Sequence, residues 1–447
     1  MRRRGCGAPA RRQPGFLRGR HGARSLDGVD LEEKGGAMKR ALVLSSSVVA
    51  WLALSASAGA QQGQAAALPD GEGKELVEIA CTTCHGLGQI RGAAGYDADG
   101  WRDLMGTMVD LPDAQAERTA RYLAAHFPPS AEDRPTLVEG DFEIEFTEWM
   151  VPTLGQRSRD PAEAPDGSIW WTGMWASLAG RLDPATGEMD EFVLPRDARP
   201  HTVVPDAEGD IWYTGNSNAT VGRLDPETGA ITVYETEARD PHSAVFHPNG
   251  NFYFTAQGAA VLGRVNPATG EVTEVPTEPR PYGIKVDGAG TLWVAYNGTN
   301  KIGALDAETM EVRYYEVPNE RSRIRRLDID SHGIVWYGNA TMGTIGRLDP
   351  ATGETREWPS PSGPSSNPYA LVVIDDVVWY NESGVRPDVL VRFDPVTEMF
   401  QSWPIPSGYG IVRNMWVTEA GNLLIHQSSS NRIGLVEIPR RRLTSQP

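Results

Sequence analysis

The sequence predicts an all-β seven-bladed propeller preceded by a small all-α domain. Three observations carry that prediction. Gly180-Arg181-Leu182-Asp183-Pro184-Ala185-Thr186-Gly187 recurs at Gly222 to Gly229, Gly263 to Gly270 and Gly346 to Gly353, with weaker copies at Gly303 to Thr309 and Val391 to Thr397. The same flanking strand patterns recur with it. Upstream stands a single C-x-x-C-H between two amphipathic segments.

Counted from Arg181, the equivalent positions are Arg223, Arg264, Ala304, Arg347, Arg392 and Leu435, at steps of 42, 41, 40, 43, 45 and 43 residues. A period of roughly 40–45 residues belongs to four-stranded propeller blades. Within each copy an apolar run such as Asp210-Ile211-Trp212-Tyr213-Thr214 precedes a polar loop and then Val221-Gly222-Arg223-Leu224. Asp-Pro-x-Thr-Gly reads as a tight turn, because Asp bonds the backbone ahead of it, Pro presets φ and Gly supplies positive φ. Alternation in Ile231-Thr232-Val233-Tyr234 marks an outer strand. A solenoid or a sandwich could share the turn, but not the turn and its flanking strands together.

The chain has 447 residues, more than one ordinary domain. Residues 1–60 form a basic leader, and residues 61–447 hold 31 Lys and Arg against 55 Asp and Glu, a net charge of −24. Such an acidic chain is a poor partner for nucleic acid or an anionic membrane. Met38-Lys39-Arg40 followed by the apolar stretch to Ala56 and Ala58-Gly59-Ala60 reads as a signal peptide. Its apolar middle is short for a membrane span. The expected location is periplasmic or secreted, with the mature chain starting near Gln61.

Of three cysteines, Cys6 lies in the leader and the other two form Cys81-Thr82-Thr83-Cys84-His85. That spacing suits covalent haem c: two thiols on one helical turn meet the vinyl groups, and His85 is placed to ligate the iron. A redox dithiol or half a zinc site uses the same pair, but no second cysteine pair and no βαβ pattern accompanies it. Methionine ligation opposite His85 falls to Met108 or, one turn earlier, Met105; either could instead fill core. Gly73 to Ala80 and Ala116 to Phe127 carry apolar residues at helical spacing. Together with Trp101, seven residues before Met108, the segment resembles a small cytochrome c domain, which implies terminal helices crossing at one haem edge.

Pro128 to Pro135 reads as a stiff linker, so residues 61–135 hold the haem domain and linker and 136–447 the propeller. Phe142 to Trp149 alternates as a strand, while the last repeat, Ile433-Gly434-Leu435-Val436, lacks an outer strand of its own. Strand 142–152 is therefore expected to complete the last blade and remove the free edges.

Aligned on Trp212, Tyr253, Trp293, Trp336 and Trp379, the inner strands open on His201, His242, Tyr282, Arg325, Tyr369 and Arg413, with Pro161 or Ala162 in the first blade. These should converge on one channel mouth. The blade pattern over 142–440 resembles the virginiamycin B lyase (streptogramin lyase) family, seven-bladed propellers that open a cyclic depsipeptide by Mg²⁺-assisted elimination. Arg199-Pro200-His201, Asp240-Pro241-His242 and Pro281-Tyr282-Gly283 match its site segments in cyclic order. The resemblance implies His242 as base, His201 and Tyr282 as partners, and Mg²⁺ near Asp240 and Gln257. Asp240 replaces a family Glu, and Gln257 a family acid, which weakens the set for a hard cation.

Two classes of function follow. One is an exported c-type haem protein whose electron-transfer domain serves a propeller that binds a small molecule or a redox partner protein. The other is a carbon–oxygen lyase with an accessory haem domain.

Overall fold

The computed structural model describes residues 67–83, 86–408 and 410–439. The expected leader with its signal peptide, and the Cys84 and His85 pair of the haem motif, lie outside the described residues. From Ala65 onward the chain forms one compact unit.

Seven four-stranded antiparallel sheets make the propeller. Six are built from consecutive strands, such as Pro200–Pro205, Ile211–Gly215, Thr220–Leu224 and Ile231–Glu235 in the second blade. Inner strands touch in sequence around the channel, and the last, Met415–Val417, touches the first, Ser158–Glu163. Glu145–Met150 pairs with Arg432–Glu437, Phe146 opposite Val436 and Trp149 opposite Ile433, so chain ends close the ring as the sequence implied.

Local chemistry explains the repeat. The second strands are buried, save Val377 at the start of one, and carry Trp170, Trp212, Trp293, Trp336 and Trp379 between blades. A buried indole N–H needs an acceptor, and Asp206, Asp287 and Asp330 in the preceding turns supply it at 2.9, 2.8 and 2.9 Å. The repeat glycine has a separate cause. A Cβ on Gly222 would lie 2.0 Å from the Tyr213 ring, and one on Gly263 2.0 Å from that of Phe254. The aromatic ring of the second strand lies flat over the third, and only hydrogen fits beneath it.

Upstream, helices span Leu87–Gly92, Ala98–Gly106 and Asp113–His126, after a short turn Lys74–Leu76 that widens into a π turn over Val77–Cys81. Asp97 caps the second, its carboxylate accepting the Gly100 N–H at 2.8 Å. Gly73, at φ 106°, sits against Arg118 and Tyr122 of the last helix, and Tyr122 Oη donates to the Pro69 carbonyl at 2.5 Å. The first and last helical segments therefore cross. Among the described residues no helix is long and apolar enough to cross a membrane.

The helical domain is seated on the propeller mouth. Gly155 N–H donates to the Thr107 carbonyl at 2.9 Å, Arg386 N–H to the Asp133 carbonyl at 2.6 Å, and the Arg386 stem packs on Gly95.

Candidate functional site

Inner strands share one irregularity. Between Pro200 and Val203, Pro241 and Ala244, Pro281 and Ile284, Ile324 and Leu327, and Pro368 and Leu371 the pairing register shifts. A bulge of this kind re-aims side chains, and here it delivers His201, His242, Tyr282, Arg325 and Tyr369 to one end of the channel. The first blade departs from the expectation. Ala162 opposes Trp170 as Val204 opposes Trp212, so Arg159, not Pro161 or Ala162, occupies the place of His201. Arg159 stands 11 residues before Trp170, as His201 does before Trp212 and His242 before Tyr253, so Pro161 and Ala162 lie two and three positions late.

The three matched residues do meet. The His201 and His242 rings lie 3.4 Å apart between centroids, and His242 and Tyr282 4.4 Å apart. The Tyr282 hydroxyl is in a short hydrogen bond with that of Tyr369, which also accepts from Arg413 at 3.2 Å and Arg325 at 3.5 Å. The Arg325 guanidinium lies 4.5 Å over the Tyr369 ring. All three matched side chains are buried.

A second ring lies one residue deeper. Asp160 Oδ2 accepts from Thr202 Oγ1 at 2.8 Å and pairs with Arg326 across the channel at 3.2 Å. Arg326 continues to Ser243 Oγ at 2.8 Å and to the Arg413 carbonyl at 2.9 Å. His426 Nδ1 faces the Asp160 amide at 3.2 Å. Asp160, Arg326 and His426 were not singled out from sequence. Only Arg326 left a signal, as the residue after Arg325 in an inner strand.

Electrostatics fix the protonation states. Burial pushes the His201 imidazole down to about 3, helped by the Arg159 charge and opposed by Asp160. Arg159 donates to His201 Nε2, so the ring proton sits on Nδ1, which faces Thr202 Oγ1 at 3.1 Å. Its lone pair is already used. His242 is likewise held neutral by burial and then by the electrostatic influence of His201, Arg159 and Arg326. Its Nδ1 meets Ser243 Oγ at 3.1 Å. Burial opposes ionisation of Asp160, but Arg326, His201 and Arg159 outweigh it and keep the carboxylate charged. Burial would also raise Tyr369; Arg413, Arg325 and Arg159 instead draw its phenol well below the ordinary value. Tyr282 moves up, by burial and by the Tyr369 charge, so Tyr282 donates to Tyr369.

Asp240 and Gln257 are placed apart from this ring chemistry. Asp240 Oδ1 accepts the Ala259 N–H at 3.1 Å and its Oδ2 the Gly258 N–H. Gln257 Oε1 faces the Arg280 guanidinium at 3.4 Å. A carboxylate closing a turn and an amide oxygen beside a cation make a poor donor set for Mg²⁺. Among the described residues no group of three acidic, His or Cys side chains could hold a metal ion. Glu382, on the sixth blade, is buried and accepts from Ser360 Oγ at 2.5 Å and the Ser362 N–H at 3.0 Å.

A cavity of about 370 Å³ lies between the helical domain and the channel mouth. Cys81, Ile90, Trp101, Leu104, Met105 and Met108 line it from the helical side. Both candidate methionines therefore face the same space as the first cysteine of the motif. Burial raises the Cys81 thiol, as an apolar wall should. Trp101 Nε1, in a side chain 4% exposed, has no hydrogen-bond partner. The propeller side supplies Arg157, Arg386, Arg413, Ser428 and Asn431.

Residues 140–265 match the virginiamycin B lyase family. A streptogramin B lyase structure shares 21% identity over 66% of this chain and 98% of that one, with a TM-score of 0.60. Virginiamycin B lyase from Staphylococcus aureus gives 20% identity over 66% and 100%, also at 0.60, and so does a catalytically inactive variant of it with quinupristin. Curated proteins gave no match to the chain.

Proposed function

From a propeller that is virginiamycin B lyase-like in fold, we propose that the chain is an exported c-type haem protein whose electron-transfer domain is docked on the propeller mouth. The propeller then binds a small molecule or a redox partner protein. One observation carries the reading: the cavity joins Cys81 and both methionines to the arginines around the channel. Its volume is within the usual range for cofactor sites of roughly 300–1,000 Å³. Its largely apolar helical wall and the orphaned Trp101 N–H fit a large apolar group with polar edges.

In this reading Cys81 and Cys84 hold the haem covalently, His85 ligates the iron, and Met108 or Met105 supplies the opposite ligand. Bound haem supplies one-electron chemistry at a potential that thioether ligation raises. The chain's own residues exclude water through Leu104, Met105 and Trp101 and orient the group toward the propeller. A pyridine haemochrome assay on the denatured, purified protein tests this. A haem spectrum that survives denaturation is the expected result; its loss would sink the reading. Met108→Ala should then abolish the sulfur-to-iron band of the oxidised protein, unless Met105→Ala does so instead.

A second reading rests on the meeting of His201, His242 and Tyr282. His242 could act as base in a carbon–oxygen elimination, since the Nε2 of His201 is committed to Arg159. A positioned base contributes roughly 10²–10⁴-fold, so His242→Ala should cost that much in cyclic depsipeptide opening. If neither wild type nor Gln257→Glu opens the ring with added Mg²⁺, that reading is withdrawn.

A further inference from the structure

The cavity wall is divided by charge. Its propeller side carries three guanidinium groups, and no Asp or Glu stands among its described lining residues, in a chain of net charge −17. Arg386 is already engaged with the Ser383 and Val385 carbonyls at 3.2 and 2.9 Å and with Asp388 at 3.3 Å. Arg413 spends Nε on Ser428 at 3.1 Å and Nη1 on Tyr369 at 3.2 Å, which leaves Nη2.

Arg157 is the exception. Its guanidinium lies 5.0 Å over the Trp175 ring and, among the described residues, makes no hydrogen bond and no ion pair. Its backbone is held at φ 57°, in the left-handed region that a branched-free but bulky side chain rarely adopts. Removing a guanidinium from water without an anion is costly, and burial duly pushes Arg157 down to about 9. A strained, unpaired cation beside an apolar chamber calls for an anion that belongs to an apolar body.

Building on the haem reading, we propose that Arg157 and Arg413 of the propeller hold the propionate carboxylates of the haem, so that the propeller completes the cofactor site and sets its potential. The apolar macrocycle lies against Leu104, Met105 and Trp101, and its two acids reach the propeller. Planar guanidinium groups suit carboxylates bidentately. A cation at that edge favours the reduced haem, because it offsets the electron added on reduction.

The test uses the holoprotein with haem content measured by haemochrome. Absence of covalent haem removes the cofactor reading and this assignment together. With haem present, Arg157→Gln and Arg413→Gln should each lower the midpoint potential by about tenfold in the ferric–ferrous equilibrium, about 59 mV for one electron. One folded variant of the two suffices to read the result. Arg157→Lys keeps the charge and should recover at least half of the shift, which a purely structural arginine would not produce. Unchanged potentials in a folded, haem-loaded glutamine variant overturn the assignment and leave the haem reading standing. The anion could instead be a free amphiphilic acid. Octanoate would then shift the wild-type potential but not that of Arg157→Gln, and that outcome also overturns the propionate assignment.

Discussion

At the residue scale, the channel mouth is decided by who holds which proton. Arg159 occupies the His201 lone pair, Asp160 stays charged against Arg326, and Tyr369 is the phenol that guanidinium groups pull down. An ionisable group whose native pKa falls below its unfolded value, about 10 for Tyr, contributes stability that is fully present above the unfolded value. That contribution is lost as pH falls through the lowered native value. The stability advantage of wild type over Tyr369→Phe should therefore grow as pH rises from the lowered value towards about 10. Denaturant unfolding at several pH values checks the sign. Tyrosinate difference absorbance should show one early titration in wild type, absent in Tyr369→Phe and moved to higher pH in Arg413→Gln. If wild type shows no early titration, the arginine cluster does not act as described.

At the element scale, the blade is a sandwich of rings over glycines. Gly222→Ala would place a methyl group inside the Tyr213 ring, which is fully buried and cannot swing away. Overpacking of this kind costs about 1–3 kcal/mol, and a urea midpoint should fall accordingly. An unchanged midpoint would mean that the Tyr213 ring yields. The closing strand makes a stronger demand. Glu145–Met150 pairs with Arg432–Glu437 along its whole length, and Glu148 holds the Ser407 N–H at 2.8 Å. Deleting residues 140–152 should expose that edge to other chains, so the variant should aggregate. Sedimentation showing a monomer with an unaltered melting temperature would refute the closure.

At the scale of the whole molecule, the two parts differ in how they are stabilised. The propeller buries aromatic side chains in every blade interface, whereas the helical domain packs a short core around a cavity. A domain that small depends on what fills its centre. If the proposed haem reading holds, the Cys81→Ala, Cys84→Ala variant should lose helical circular dichroism in a separate low-temperature step. The β signal of the propeller should melt where it does in wild type. A single transition at the wild-type temperature would show that the helical domain needs no bound group to stand.

Much of this was legible in the chain because its causes are local. The turn Asp183-Pro184-Ala185-Thr186-Gly187, the glycine that must sit under an aromatic ring, and the Asp that caps a buried indole each repeat with the blade, so the period, the blade number and the closing strand could be read directly. The succession of His201, His242 and Tyr282 was legible for the same reason. What the sequence could not supply depends on residues far apart in the chain. Asp160 and Arg326, 166 positions apart, become partners because the ring brings them across the channel. The engagement of Asp240 by its neighbouring turn, and of Gln257 by Arg280, depends on how a loop folds back. The cavity too was decided by tertiary structure: Cys81 was visible in the C-x-x-C-H pattern and Met108 as a candidate ligand, but their sharing a wall with Arg157 and Arg413 follows only from the seating of the helical domain on the propeller. Short-range sterics and hydrogen bonding are written in adjacent residues, and charge compensation across a closed ring is not.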